Sequence, residues 1–464
     1  MRNIAIVGAG QAGLLAAHAL LKDGYRVTLF SDKTPNDFLN NSHPTGTALR
    51  FDMALEYERE LGLNFWDADV PWINYAHVTL AEEPDNRVMT LCGRFEKTPC
   101  AIDLRLQSAR WLKELEQRGG KVIFEKVDLK RLDEIAVDHE LTIVAAGHGE
   151  IQDLFKRDDL RSTQTHPQRQ VAMACVKGPA MNFEQAPKQA VKFNLFPKYG
   201  ECLWIPWLHK DLQQTWSLLV EAKEGGPFDG FRNAKNGTHV LDIMLQQIRK
   251  MIPWDYEWVK DAELADEHSW QKGAITQTVR NPVGTLPSGR HVLAVGDTAI
   301  SLDPIAGQGA NNGNKMVRNL VRCIREREDR AFDKNWMEFT FEEFWERHHW
   351  VTRFTDMLLA PMSEAGRELF IAQYGSTGRP EDNSPQQKLA DLMANNFNDP
   401  AMYTLAFEDL NSARKLIRET TGSHWALSKM RGMLLLGLGQ FKQKLKMDPH
   451  HPSSAPFMYR AVGA

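Results

Sequence analysis

Residues 3–30 read as strand, glycine-rich turn, helix, strand, and that order narrows the fold more than any other stretch of the chain. Asn3-Ile-Ala-Ile-Val7 is a short apolar run rich in β-branched residues, the pattern of a buried strand. Gly8-Ala-Gly10-Gln11-Ala12-Gly13 follows at once, and Leu14 to Leu21, dominated by Ala and Leu, is a helix former's run. Gly24 closes it, and Val27-Thr-Leu-Phe30 makes a second strand. In such a turn Gly8 permits the tight bend, Gly10 lets the backbone approach a pyrophosphate, and Gly13 allows close helix–strand packing. The helix N-terminus, with Gln11 and Ala12 in its first turn, favours phosphate charge. An isolated G-x-G-x-x-G is a weak signal; here it stands in the strand–turn–helix context that the chemistry requires. Asp32 and Lys33 follow the second strand. A carboxylate there either bonds an adenosine ribose or caps the next turn. This local pattern alone does not separate NAD from FAD.

A second motif separates them. His291-Val-Leu-Ala-Val295 is another buried strand, running into Gly296-Asp297, then Asp303-Pro304, then Gly307-Gln308-Gly309-Ala310-Asn311-Asn312. From Asn314 onward Met316, Val317, Leu320, Val321 and Ile324 recur at helical spacing. A strand, an acid, a glycine-rich loop and a long amphipathic helix, so far downstream of the first fingerprint, suit a flavin better than a nicotinamide. Asp297 can bond a ribityl hydroxyl. Amides at the helix start can face the flavin edge that carries negative charge on reduction. Taken alone, the same segment also reads as an ordinary strand–helix turn capped by Asp297.

The pair G-A-G-Q-A-G at residues 8–13 and G-D-x5-D-P-x2-G-Q-G-A-N at 296–311 resembles FAD-dependent aromatic monooxygenases, and more narrowly the oxygenase component of styrene and indole monooxygenases. Asp103-Leu-Arg105, Leu141 to Gly147, and Gly200-Glu201 with Ile205-Pro206 resemble further stretches of that family. The resemblance runs from residue 1 to about 330. It implies an α/β fold: a Rossmann-like FAD-binding domain of the glutathione-reductase/hydroxybenzoate-hydroxylase type, an antiparallel-sheet substrate domain and a C-terminal helical region. The expected boundaries are 1–70, 101–165 and 285–330 for the FAD-binding domain, 71–100 and 166–284 for the substrate sheet, and 331–464 for the helices. Arg105 and Gly147 join the expected cofactor contacts. Where the family carries an Arg and a small polar residue facing flavin and substrate, this chain reads Asn41-Ser-His-Pro-Thr-Gly-Thr47, which makes His43, Thr45 and Thr47 the candidates. Pro304 and the 307–311 backbone are expected beside the reactive flavin carbon. The implied reaction is epoxidation of a styrene-like alkene or indole by O2 and FADH2, through a flavin C4a-hydroperoxide.

What is missing shapes the expectation about electrons. No Asp-Gly follows the strand at 141–144, and no second strand-coupled G-x-G-x-x-G offers a nicotinamide site. A separate NAD(P)H:flavin reductase is therefore the expected transient partner. The rivals are a single-component phenol hydroxylase, a flavin-dependent amine oxidase, a non-catalytic flavin or NAD module, and a halogenase. The last lacks support because Cys202-Leu-Trp-Ile-Pro206 has no paired tryptophans at the right spacing.

Composition bounds the remainder. The chain has 464 residues, 42% hydrophobic and 25% charged, with a net charge of −4. That is enough for two or three domains and gives no basic excess for nucleic acid. Five scattered cysteines without a C-x-x-C pair fit a reducing cytoplasm, no disulfides and no metal. No apolar run is long enough for a membrane span, and a homodimer is a further expectation. Strand-like runs at 171–176, 190–196, 202–207 and 215–220 predict an antiparallel sheet. Its Phe193, Phe196, Trp204, Trp207 and Trp216 divide between core and, for one or two of them, an aromatic pocket. Helices are predicted at 49–61, 240–251, 331–350 and 412–446.

Overall fold

The computed structural model describes residues 2–84, 86–146, 149–181 and 189–444, with side chains through residue 439. The chain divides into two compact units, each assembled from separated stretches: Met1–Ala68, Ile102–Pro167 and Ile275–Thr352 in the first, Asp69–Ala101, Gln168–Ala274 and Arg353–Ala464 in the second. Of residues 331–464, those up to 352 fall in the first unit and the rest in the second.

The first unit is built on a six-stranded sheet. In spatial order its strands are Val283–Thr285, His291–Ala294, Leu141–Val144, Asn3–Val7, Arg26–Ser31 and Lys121–Phe124. All neighbours are parallel except the first pair. Ile4 to Val7 and Leu141 to Val144 are buried without alternation, because helices cover both faces of a parallel sheet. Gln11–Lys22 and Gly309–Arg327 are the two helices that matter for the site. The helix predicted from Leu49 begins later: Leu49–Arg50 is a short strand, and the helix is Asp52–Glu60. Ala48 sits at φ 47, a left-handed turn that a continuous helix cannot contain.

The second unit carries an eight-stranded sheet, ordered Glu263–Leu264, Gln170–Lys177, Gln214–Ala222, Gly200–Leu208, Ala190–Phe196, Tyr75–Glu83 and Asn86–Arg94, with Trp270–Ala274 also pairing Gln170–Lys177. It is antiparallel with one exception, Ala190–Phe196 against Tyr75–Glu83. The chain leaves the sheet after residue 101 and returns at 168, and so long a crossover permits a parallel neighbour. Helix Gly237–Met251, capped by Asn236, covers one face. Phe196, Trp204 and Trp216 lie in the core beneath it, so these three belong to packing and not to a pocket. Lys192 pairs with Trp204 on that same face, and Phe193 with Leu203 on the other. Trp207 pairs with Thr215, which puts it on the face of Phe193. Asp255 accepts from Lys192, from Asn194 at 3.0 Å and from Trp204 at 2.7 Å, and so ties helix Pro253–Val259 to the sheet.

The edge strand Asn86–Arg94 does not stand open. Helix Pro385–Asn395 lies on it so closely that a Cβ at Gly93 would sit 2.3 Å from the Ala390 carbonyl oxygen. Asp391 accepts from the Arg94 guanidinium at 2.6 and 2.9 Å, and Gln387 donates to the Cys92 carbonyl at 2.9 Å. Covering an edge in this way removes a template for aggregation. Beyond it, Leu369, Leu389, Met393 and Ile417 form a small helical core. The helix predicted over 412–446 is two helices, Leu410–Thr421 and Trp425–Lys444, broken at Gly422 with φ +66. All five cysteines are buried, and none is in a disulfide. Among the described residues no helix is long and apolar enough to cross a membrane.

Candidate functional site

The three fingerprint glycines are each required for a different steric reason. Gly8 has φ +114, and a Cβ there would lie 2.6 Å from the Ala145 carbonyl oxygen. A Cβ at Gly13 would lie 2.0 Å from the Gly8 oxygen, so the helix could not approach the strand. At Gly10 a Cβ would meet nothing within 4 Å. Protein packing therefore does not explain that glycine.

The helix starting at Gln11 has no side-chain cap and no acidic residue in its first turn. Gly309–Arg327 lacks both as well. Other helices of the chain begin on capping side chains, among them Thr34, Asp103, Asp128, Asn236 and Asp333. The two bare N-termini converge. A Cβ at Gly296 would be 2.9 Å from the Ala12 Cβ, and one at Gly313 3.5 Å from it. Two sets of orphan N–H groups and two positive dipole ends thus share one corner of the first unit, a setting that favours anionic groups.

Around that corner the remaining candidates fall into two sets. Asp297 is exposed in the turn Gly296–Thr298, and its Oδ1 lies 3.8 Å from where a Gly309 Cβ would be. Gly309, Ala310 and Pro304 are half-buried. Pro304 opens a short turn capped by Asp303, whose Oδ1 accepts from the Ile305 N–H at 3.1 Å, and Gly307 closes it with φ +60. Thr47 is buried beside Gly307, its Oγ1 3.7 Å from that glycine's Cβ position. Asp32 is exposed immediately after the strand ending at Ser31, and Lys33 lies over the Phe38 ring. Of these, Asp297 and Asp32 are exposed, Pro304, Lys33, Gly309 and Ala310 half-buried, and Thr47 buried.

The other set is committed to the protein. Asn311 donates to the Leu49 and Gly307 carbonyls at 2.9 and 2.7 Å and accepts from the Phe51 N–H at 2.8 Å. Its side chain clamps the loop. Gln308 is fully buried and donates to the Ala306 carbonyl. Arg105 is buried against Asp103, with contacts at 2.7 to 3.1 Å, and faces the Ser42 carbonyl at 3.4 Å. His43 is exposed, whereas Thr47 is buried. Gly147 lies outside the described residues.

Sequence reading missed a buried polar chain behind the fingerprint. Gln11 donates to Asn314 at 2.8 Å, Asn314 donates to Glu58 at 3.0 Å, and Arg50 meets Glu58 as an ion pair at 3.2 Å. Burial raises the Glu58 pKa above its ordinary value, with Arg50 and the Asn314 bond opposing it. These residues come from four elements, and no sequence spacing joins them.

Residues 147–258 match the family model described as the styrene monooxygenase A putative substrate binding domain. Styrene monooxygenase StyA of Pseudomonas fluorescens is 26% identical over 406 residues, covering 86% of this chain and 93% of the relative. StyA of a Pseudomonas sp is also 26% identical, over 405 residues. Among solved structures, flavin-dependent brominase Bmp2 aligns at a TM-score of 0.54 and 14% identity, covering 96% of this chain and 99% of that one. A flavoprotein/dehydrogenase from Cytophaga hutchinsonii aligns at 0.57 and 15%, covering 93% and 99%. The p-nitrophenol 4-monooxygenase PnpA from Pseudomonas putida DLL-E4 aligns at 0.54 and 14%, covering 90% and 98%. The structural likenesses establish the FAD-binding α/β fold with its C-terminal helices, and that fold serves several chemistries. Fold and sequence relatives together support a flavin-dependent monooxygenase. Within that class, the substrate-domain match and the StyA relatives support a styrene monooxygenase-like family.

Proposed function

We propose that this chain is the oxygenase component of a two-component system, which takes FADH2 from a separate NAD(P)H:flavin reductase and epoxidises an apolar aromatic substrate, a styrene-like alkene or indole. The observation that carries the cofactor assignment is the pair of uncapped helix N-termini converging at Ala12, Gly296 and Gly313. In this reading the first unit holds the cofactor and the sheet of the second takes the substrate. When bound, reduced FAD supplies the activated oxygen. Gly8, Gly10 and Gly13 with the N–H groups of Gln11 and Ala12 hold the pyrophosphate, Asp32 and Lys33 the adenosine end, and Asp297 the ribityl hydroxyls. Pro304, the 307–310 backbone and Thr47 form the wall beside the reacting ring, where rigid packing keeps water out.

The substrate reading draws support from Phe193 and its neighbours. Phe193 lies 5.7 Å from Phe397, which lies 5.1 Å from Phe354. An aromatic cluster on the sheet face away from helix Gly237–Met251 suits a flat, neutral ligand better than a charged one, which would lose solvation there. The test mixes the protein with FAD, NADH, a flavin reductase, and styrene or indole. Epoxide, or blue indigo from indole, should form only with the reductase present. Fast substrate-stimulated NADPH oxidation by the isolated chain would defeat the two-component reading in favour of a single-component hydroxylase.

A further inference from the structure

Helix Trp425–Lys444 is two-faced in an unusual way. One side packs within the second unit. A Cβ at Gly432 would sit 2.0 Å from the Ile371 carbonyl oxygen, and Leu435 and Leu436 pack with Met89, Leu91 and Tyr374. The other side is apolar too. Leu427, Met430, Met433, Leu434 and Leu438 are 55% to 64% exposed. At 3.6 residues per turn, four of them (Leu427, Met430, Leu434 and Leu438) fall within about a quarter of the circumference. Water-facing positions of a helix ordinarily carry polar side chains. Single exposed apolar residues need no explanation, but a continuous stripe does.

The charge on the helix selects its partner. Lys429, Arg431, Lys442 and Lys444 belong to it, and it contains no Asp or Glu, in a chain whose net charge is −4. Lys429 is tied to Glu368 at 2.7 Å, while Arg431 is exposed next to the stripe. A second copy placing the same helix against this one would bring cation against cation. An aliphatic and methionine surface beside the exposed Arg431, on a helix of positive charge, matches an anionic surface with an apolar layer beneath it.

We propose that this helix face docks the protein on an anionic phospholipid bilayer, the apolar stripe entering the headgroup boundary and the basic side chains meeting lipid phosphates. No spanning segment is involved, and the inference does not rest on the catalytic reading.

The full-length protein is sedimented with vesicles of phosphatidylglycerol and phosphatidylcholine, and separately with pure phosphatidylcholine vesicles. The anionic vesicles should pellet at least fivefold more protein, and high salt should remove most of the difference. The double variant Leu434→Glu/Leu438→Glu should fall to the phosphatidylcholine level with an unchanged melting temperature, because neither side chain is packed. Arg431→Glu should give an intermediate loss. Equal pelleting with the two vesicle types, or none with either, overturns the proposal. So does a dimer in solution that Leu434→Glu dissociates, which would assign the stripe to a second copy. Retention on immobilised flavin reductase that the double variant abolishes, without vesicle binding, would assign it to that protein instead.

Discussion

Valine at Gly10 should separate cofactor binding from folding. Gly10 has φ −74 and ψ −179, a backbone open to any residue. A Cβ there meets no protein atom within 4 Å. In the FAD-free protein the Gly10→Val change should therefore cost about 1 kcal/mol at most, the difference in N-cap preference. With FAD present, the new methyl groups stand where the pyrophosphate approaches the orphan N–H groups of the first turn. Hydrogen bonds to a charged group are worth about 1.5–3 kcal/mol each. Forfeiting two removes about 3 kcal/mol or more, roughly a hundredfold in Kd. Fluorescence titration with FAD, beside a thermal melt of the FAD-free protein, reads both quantities. Gly13→Ala is the contrasting variant: its Cβ would lie 2.0 Å from the Gly8 oxygen, so it should lower the melt whether or not FAD is added. A Gly10→Val protein that binds FAD within threefold of the parent would refute the pyrophosphate assignment.

Three further outcomes are expected. Asp297→Ala should weaken FAD binding by roughly 1–3 kcal/mol with little effect on the FAD-free melt, since the side chain is exposed; an unchanged affinity in the same titration would remove Asp297 from the site. Gly93→Val forces its side chain against the Ala390 carbonyl and should cost about 1–3 kcal/mol in urea unfolding, whereas an unmoved midpoint would mean the helix yields freely. His18 is buried beside the Trp111 carbonyl, and burial lowers its pKa from 6.5 to about 4. The unfolded chain binds that proton first, so its contribution to stability is complete above pH 6.5 and is lost as pH falls towards 4. That loss is roughly 3 kcal/mol. His18→Gln should flatten urea stability across that window, and an undiminished slope would place the titration elsewhere.

The parts of the site legible in sequence are those dictated by backbone sterics. Gly8 and Gly13 are glycines because nothing else fits, so the fingerprint reads directly. Gly307, at φ +60, reads for the same reason, while the strand ending before Gly296 reads from its buried apolar run. The sheet faces were only half legible. Alternation shows that Phe193 and Phe196 face opposite ways, but pairing is needed to know that Phe196 joins Trp204 and Trp216 under a helix. Partnerships across long sequence separations left no local trace. The Gln11–Asn314–Glu58–Arg50 chain is one, and the covering of strand Asn86–Arg94 by Pro385–Asn395 is another. The commitment of the Asn311 side chain to Leu49 and Phe51 is of this kind too. Its side chain acts as a clamp in the fold.

The interleaving of the two units has a consequence for anyone wishing to cut the protein apart. The six-stranded sheet needs Asn3–Val7 from near the start and His291–Ala294 from well past the middle, while the eight-stranded sheet draws on Tyr75–Arg94 and on strands after residue 168. No single cleavage point releases either unit whole. During synthesis, the first sheet must wait for residues near 294 and the edge strand Asn86–Arg94 for residues near 385. Until then each presents unpaired strand edges. Shortening the gene beyond residue 68 from the start, or back past residue 353 from the end, will therefore damage both units at once. A fragment that preserves one of them must instead be stitched from three pieces of sequence.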